Sequence, residues 1–410
     1  MTDTLTQQVD ALLQGTQFGD RQTGVRMAAE LKARLAENRP LRVYLGVDPT
    51  APDLHLGHAV PLQKLALFQA WGHDCILLIG DFTARIGDPS DKDKTRPQLM
   101  PAQIQANVET YRAQAFKLLD EERTQICFNS SWHNDLSFAD VTQLAGQFTV
   151  AQFLARDNFA HRFANNEAIH LHEFFYALMQ GYDAFALQAD VQIGGTDQTF
   201  NILAGRRLQT AWGQPPQIML TNPILPGTDG HRKMAKSLSN AIPLLANPQD
   251  MYGQVMSLPD IAMRPYFELL TTVPQPEIDT IFDEMERGQH HPRDVKMRLA
   301  HHITQQFTSK AEAAQAEAEF IAVFQRGDLP TEMGQYELKD GIPMIDLLLD
   351  LQWVKSKGEA RRLIQQGGVR IDGMKITDIA TWIEPARTGK TQILRGGKRR
   401  FIALVSNAIN

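Results

Sequence analysis

The sequence predicts an open α/β sheet with parallel strands, and three adjacent stretches predict it. "RVYLGVDPT" (42–50) is a β-rich run ending in turn residues, "LGHAVPLQKLALFQAWG" (56–72) reads as a helix, and "CILLIGDFT" (75–83) is again strand-like. A strand, a crossover helix and a second strand make a parallel β-α-β unit. Ligands of such sheets sit beyond the carboxyl ends of the strands, where "YLGVDPT" and "IGDFTARIGDPS" both lie.

The remaining elements follow in order. From Pro101 to Leu119 the apolar residues Ile104, Val108, Tyr111, Ala115 and Leu118 recur at helical spacing, and Pro101 suits a first helical position. A second unit then combines a buried helix, "LHEFFYALMQGYDAF" (171–185), a strand, "LQADVQIGG" (187–195), and a helix opened by Thr196 or Asp197. A loop, "NPILPGTDGHRKMAKSLSN" (222–240), precedes a mostly helical pattern over 248–325. The tail carries a helix, "KGEARRLIQQGG", a hairpin, "VRIDGMKI", and a last strand, "RFIALV". These readings divide the chain into an α/β domain (1–245), a helical domain (246–327), a linker (328–341) and a small α+β domain (342–410).

Composition narrows the class. At 410 residues, with 43% hydrophobic and 21% charged residues, the chain is long enough for two or three domains with a sizeable core. Cys75 and Cys127 are the only cysteines and form no C-x-x-C pair, which argues against a zinc knuckle and for a reducing compartment. The start lacks the basic and apolar regions of a secretory signal, so a cytoplasmic location is expected. Net charge is −6, yet residues 342–410 hold 12 Lys+Arg against 6 Asp+Glu, leaving −12 on the rest. A basic tail on an acidic body points to a polyanion partner.

Three motifs carry chemistry. In "DLHLGHAVP" (53–61), Gly57 lets a flat ligand approach the backbone, a helix N-terminus offers free N–H groups, and His55 and His58 add donors to phosphate. Pro61 fits a first helical turn. A metal pair would need a third ligand, and H-x-x-H lacks the i, i+4 spacing of H-E-x-x-H zinc sites; filling of the core is the other reading. In "KMAKS" (233–237), two lysines in a Gly- and Pro-rich loop could close over a polyphosphate. On the helix 171–185, Tyr176, Gln180 and Asp183 fall on one stripe of an apolar surface and would line a cavity or bond each other inside the core.

The paired "HLGH" and "KMAKS" resemble the signatures of class I aminoacyl-tRNA synthetases. With "YLGVDPTAPDLHLGH", "IGDPS", Y-x-x-x-Q-x-x-D and "QIGGTDQ", the chain resembles the bacterial tyrosyl-tRNA synthetase family from Tyr44 through Ser237 and again in the tail. The resemblance implies a Rossmann-like catalytic domain, a helical anticodon-binding domain and an S-four-type RNA-binding module. It implies that Tyr44 and Asp183 bond the substrate phenol, that Asp88, Tyr176 and Gln180 hold its ammonium group, and that Gln198 faces its carboxylate, with Asp48 beside it. Gly46, Gly57, Gly195 and Asp197 would meet the adenosine; Thr50, His55, His58, Lys233, Lys236 and Ser237 would meet the phosphates. ATP with magnesium, L-tyrosine and tRNA(Tyr) are the implied reactants, with no protein-ligated metal, and a homodimer through the segment 118–163 is implied as well.

Two departures stand out: Ala235 replaces the serine of K-M-S-K-S, and Leu56 replaces isoleucine. The first leaves both lysines in place, and the second conserves volume. In the tail, Lys355, Lys357, Arg361, Arg362, Lys375 and the cluster "RGGKRR" would meet RNA phosphates. A tryptophanyl enzyme shares the fold and both signatures, but indole has no hydroxyl for Tyr44 and Asp183 to bind.

Overall fold

The computed structural model describes residues 2–90, 100–326, 333–385, 391–397 and 400–405. The chain divides into two compact units, 1–314 and 315–410, and each is taken by itself.

In the first unit, α1 (Thr2–Leu13) and α2 (Arg21–Leu35) precede β1 (Arg42–Val47). There follow α3 (Leu56–Ala70), β2 (Asp74–Ile79), α4 (Pro101–Ala115) and β3 (Thr124–Phe128). Five helices, α5 (Ser130–His133), α6 (Phe138–Ala145), α7 (Val150–Leu154), α8 (Asp157–Ala164) and α9 (Leu171–Ala186), lead to β4 (Val191–Gly195), α10 (Thr199–Ala211) and β5 (Ile218–Asn222). The sheet runs β3-β2-β1-β4-β5 with every pairing parallel, as the sequence predicts. The winding reverses between β1 and β4, so the carboxyl ends of these two strands flank the crevice in which ligands of such sheets bind. β3 and β5 are the two strands that the sequence pattern did not signal. Both are five-residue edge strands, and "TQICF" is half polar.

α3 is apolar nearly all round because it is covered on several sides: Leu56, Val60, Leu62, Leu65 and Phe68 are all buried. α9 and α10 cross closely. A Cβ on Gly181 would lie 2.9 Å from a Leu208 methyl and 3.2 Å from the Gly205 nitrogen, and one on Gly205 would lie 3.0 Å from the Ala184 Cβ. Small residues at this crossing set α9 low enough to bring its polar stripe to the sheet.

Pro61 departs from expectation. α3 begins at Leu56 with His55 as N-cap, so Pro61 is the sixth helical residue and lies beyond the first turn. Its missing N–H therefore leaves the Gly57 carbonyl without its helical donor. α10 likewise starts at Thr199, after a 3₁₀ turn over Thr196–Gln198, instead of at Thr196 or Asp197.

The helical stretch comprises α11 (Pro248–Met256), α12 (Met263–Leu270), α13 (Gln275–Glu286), α14 (Pro292–Phe307) and α15 (Lys310–Ile321). Tyr252, Tyr266, Phe267, Leu299 and Ile303 are fully buried, and α12 packs against α3.

In the second unit, the strands β6 (Gly334–Glu337), β7 (Ile342–Pro343), β8 (Val369–Ile371), β9 (Met374–Ile376), β10 (Trp382–Ile383), β11 (Gln392–Gly396) and β12 (Arg400–Val405) accompany α16 (Met344–Asp350) and α17 (Lys357–Gln365). Five of the strands form a sheet ordered β6-β12-β11-β8-β9. Leu347, Leu348, Ile364, Leu394 and Leu404 pack together in its core. β8 and β9 form the predicted hairpin through Asp372 (φ 47°) and Gly373 (φ 82°), a pair suited to a two-residue turn with both φ positive. Part of the stretch read as a linker is a strand: Gly334–Glu337 pairs in parallel with Ile402–Val405. Residues 327–332 of that stretch lie outside the described residues. Among the described residues no helix is long and apolar enough to cross a membrane.

Candidate active site

A cavity of about 240 Å³ opens at the carboxyl ends of β1 and β4. It is lined by Tyr44, Gly46, Asp48, Thr50, His58, Asp88, Tyr176, Gln180, Asp183, Gly195, Asp197 and Gln198. Twelve of the predicted residues thus converge from β1, α3, α9, β4 and the loops between them. His55, Gly57, Lys233, Lys236 and Ser237 lie outside this lining. A larger cavity, about 690 Å³, adjoins it at Asp197 and is walled by Arg156, Phe200 and Arg207.

At the deep end, the Asp183 carboxylate is buried and held by α5 and the residue before it. Its Oδ1 accepts from Trp132 Nε1 and His133 Nε2, both at 2.8 Å, while Oδ2 accepts only a 3.3 Å bond from Asn129 Nδ2. Tyr44 is fully buried, and its hydroxyl has no hydrogen-bond partner among the described residues. Burial first, then the Asp183 charge, raise its pKa well above the ordinary phenol value, with Gln217 offsetting part. A buried hydroxyl without a partner is costly, and a ligand hydroxyl placed here would satisfy it.

Further out, two groups of bonds gather at the strand ends, one on Asp48 and one on Asp88. Tyr176 donates to Asp48 Oδ2 at 2.9 Å, and Thr83 donates to Asp48 Oδ1 at 2.8 Å. Gly80 makes room for it: a Cβ there would lie 2.1 Å from Asp48 Oδ1 and 2.4 Å from Thr83 Oγ1. Asp88 accepts from the Ser90 N–H at 2.9 Å and from Gln198 Nε2 at 2.8 Å, so the predicted ammonium and carboxylate contacts are neighbours in one network. Gly46 is exposed mid-strand, and a Cβ on it would meet nothing closer than 4.0 Å, which leaves the backbone open to a flat ligand.

Gly57 behaves differently. The space it leaves is taken by the His55 ring, two of whose atoms would lie 3.0 Å from an added Cβ. The glycine therefore seats His55 against the helix start, a correction to its reading as ligand clearance. The two histidine rings lie 4.0 Å apart, centroid to centroid, tilted by 46°, and the His55 N–H donates to His58 Nδ1 at 3.2 Å. With Nδ1 accepting, the His58 proton sits on Nε2, which is left to donate into the cavity. Burial first, then the charges of His58 and Lys236, pull the His55 pKa down to about 3; burial, offset in part by the His55 backbone bond and aided by Lys236, pulls that of His58 to about 4, so both rings are neutral near pH 7.

The lysine loop is tied to the same place. Leu54 and Leu56 exchange backbone bonds with Ile242 and Leu244, so the segments before α3 and after the lysines are neighbours. Asn240 braces the loop: its Oδ1 accepts from the Ala235 N–H at 2.9 Å, and its Nδ2 donates to the Lys233 carbonyl at 3.0 Å. The backbone at position 235 is thus held without a side-chain hydroxyl. Lys236 pairs with Asp53 at the surface. From the opposite side, Gln114 and Asn107 of α4 hold the loop before α3. Gln114 accepts from the Leu54 N–H at 2.7 Å, and Asn107 donates to the Pro49 carbonyl at 2.8 Å.

In the second unit, Lys355, Lys357, Arg361, Arg362 and Lys375 are all exposed. The β register adds one residue that the sequence reading passed over: Arg370 stands opposite Lys375 on one side and Arg395 of "RGGKRR" on the other, a row of three cations across β9, β8 and β11. Like charges directly opposite repel, so the row is relieved by an anion. Lys398 and Arg399 of "RGGKRR" lie outside the described residues.

Residues 36–325 match the family described as tRNA synthetases class I (W and Y), and residues 326–404 match the tyrosine-tRNA ligase SYY-like C-terminal domain. Among curated relatives, a tyrosine-tRNA ligase of Moorella thermoacetica is 52% identical over 92% of this chain and 91% of its own. One of Thermotoga maritima is 48% identical over 91% and 92%. Among solved structures, an L-tyrosine-complexed tyrosyl-tRNA synthetase of Archaeoglobus fulgidus shares the fold at TM-score 0.60, with 20% identity over 76% of this chain and 99% of that one. A truncated mitochondrial enzyme of Aspergillus nidulans also matches at TM-score 0.60, with 24% identity over 78% and 94%.

Proposed function

The chain belongs to the tyrosyl-tRNA synthetases, within the tryptophan and tyrosine branch of class I, and from that premise we propose how its residues share the work. The enzyme is a tyrosine-tRNA ligase. The tyrosine carboxylate attacks the α-phosphate of ATP, pyrophosphate leaves, and the 3′ hydroxyl of tRNA then takes the tyrosyl group from the adenylate as AMP departs.

In our reading, Tyr44 and Asp183 bond the phenol, Asp88, Tyr176 and Gln180 hold the ammonium group, and Gln198 and Asp48 border the carboxylate. One observation carries this assignment: the partnerless Tyr44 hydroxyl stands in the same pocket as Asp183, whose Oδ2 has only one long bond. Phenylalanine would leave both groups unpaired. Gly46, Gly195 and Asp197 border adenosine, and Thr50, His55, His58, Lys233, Lys236 and Ser237 serve the phosphates, with His58 Nε2–H as a neutral donor. No protein nucleophile is needed; alignment and charge stabilisation do the work. Magnesium, when present, enters on the ATP phosphates and neutralises charge there; among the described residues no group of three or more His, Cys, Asp or Glu could hold a metal.

Pyrophosphate exchange into ATP, run with each amino acid separately, tests the reading. Exchange with tyrosine alone is expected, and Tyr44→Phe should weaken tyrosine while leaving ATP saturation unchanged; equal effects on both would overturn the phenol assignment.

The basic row and helix α17 are the surface we assign to tRNA(Tyr), and the helical stretch 246–327 to its anticodon end. A homodimer through the segment 118–163 is favoured by exposed Phe138, Val150 and Phe163, and a cytoplasmic location by the role in translation. Light scattering on the purified chain checks the dimer: twice the chain mass is expected.

A further inference from the structure

Resting on the assignment of Asp183 to the phenol, we propose that His133 is a positioning residue for tyrosine selection, acting through Asp183. The argument is one of donors and acceptors. His133 lies at the end of the four-residue α5, its side chain fully buried, with Nε2 2.8 Å from Asp183 Oδ1. A carboxylate only accepts, so Nε2 carries a proton; Nδ1 is buried without a partner among the described residues. Trp132 Nε1 donates to the same oxygen at 2.8 Å. Two strong donors on Oδ1 hold that oxygen on α5 and leave Oδ2, which accepts only the 3.3 Å bond from Asn129, as the acceptor with capacity for a pocket ligand. An acceptor presented in this way selects a ligand group that donates, as a phenol does.

The ring is itself held. Phe82 lies 5.3 Å, Trp132 6.2 Å and Tyr182 5.8 Å from it, centroid to centroid, so it cannot swing away from the carboxylate without displacing aromatic neighbours. His133 does not line the cavity, so it touches Asp183 and no substrate atom.

His133→Leu removes the donor. The hydrogen bond lost is one to a charged group, so KM for tyrosine should rise about ten- to a hundred-fold and the preference for tyrosine over phenylalanine should fall alike, with KM for ATP unchanged. Gln places an amide donor where Nε2 stands, and Asn places one where Nδ1 stands. His133→Gln should therefore recover most of the selectivity, and His133→Asn should not. Asp183→Asn is the control for the underlying assignment: if it leaves the tyrosine preference intact, the phenol reading fails whatever His133 does. Were Asp183→Asn damaging while His133→Leu left selectivity unchanged, or were the Gln and Asn variants equal, the positioning role would be overturned. Equal losses for ATP and tyrosine together with a lowered Tm would also overturn it, since that pattern marks a merely structural residue.

Discussion

The two ends of the cleft are built on opposite plans. At the phenol end, Asp183 is buried, bonded to three side chains from α5 and its start, and faced by a sealed-in Tyr44. At the phosphate end, the lysine donors sit on a loop at the surface, where Lys236 meets Asp53 with both side chains more than a third exposed. The difference follows from what each end must do. Selecting a hydroxyl requires groups that cannot relax around its absence, whereas a polyphosphate that enters and leaves requires donors that can move.

The comparison can be broken at either end. Asp183→Asn should act most, lowering tyrosine activation by about a hundred-fold and largely erasing the preference over phenylalanine, as pyrophosphate exchange would record. At the other end, Lys236→Ala should slow adenylate formation by roughly ten- to a hundred-fold in single-turnover assays while tyrosine affinity stays the same. Its Tm should barely move, because an exposed ion pair contributes only about 0–1 kcal/mol. Gly80→Ala strikes the joint between the ends: the Cβ would collide with Asp48 and Thr83, so kcat/KM should fall about ten-fold, with a stability loss of about 1–3 kcal/mol by urea melt.

A pH series sharpens the contrast with the smallest effect on rate. His55 and His58 are held at about 3 and 4, below the ordinary value of 6.5, so the unfolded chain binds more protons than the folded one between about pH 4 and 6.5. Stability from these rings is then present above pH 6.5 and is lost as pH falls toward 4, by about 3 kcal/mol for His58. Adenylate formation should show no histidine step between pH 6 and 8. A rate step near pH 6.5 would mean that one ring titrates in the open and the phosphate end is looser than described. In the tail, Arg370→Ala should lower the salt dependence of tRNA binding by about one unit of slope, measured by filter binding.

Much of this was legible in the sequence where the signal is local. The three central strands, the Tyr176-Gln180-Asp183 stripe and the two signature loops announce themselves within a few residues. What was not legible depends on residues brought in from far along the chain. Asn129, Trp132 and His133 find Asp183 across some fifty residues, and Gln114 reaches Leu54 across 60. Gly57 and Pro61 were misread for a related reason: whether a glycine clears a ligand or a side chain, and whether a proline falls inside the first turn, depends on where the helix starts. Arg370 was passed over because a single arginine in a strand gains meaning only from the register that sets it between two other cations.

The last strand carries a consequence for how the protein is made. β12, the final described strand of the chain, lies inside the tail sheet, between β11 and β6. Until residues 400–405 have left the ribosome, β6 has no neighbour and β11 lacks one of its two, so the tail sheet closes only once β12 has emerged. A nascent chain carries its catalytic sheet complete long before it has a finished tail. Chains cut short before Arg400 should therefore activate tyrosine and lack an intact RNA-binding tail.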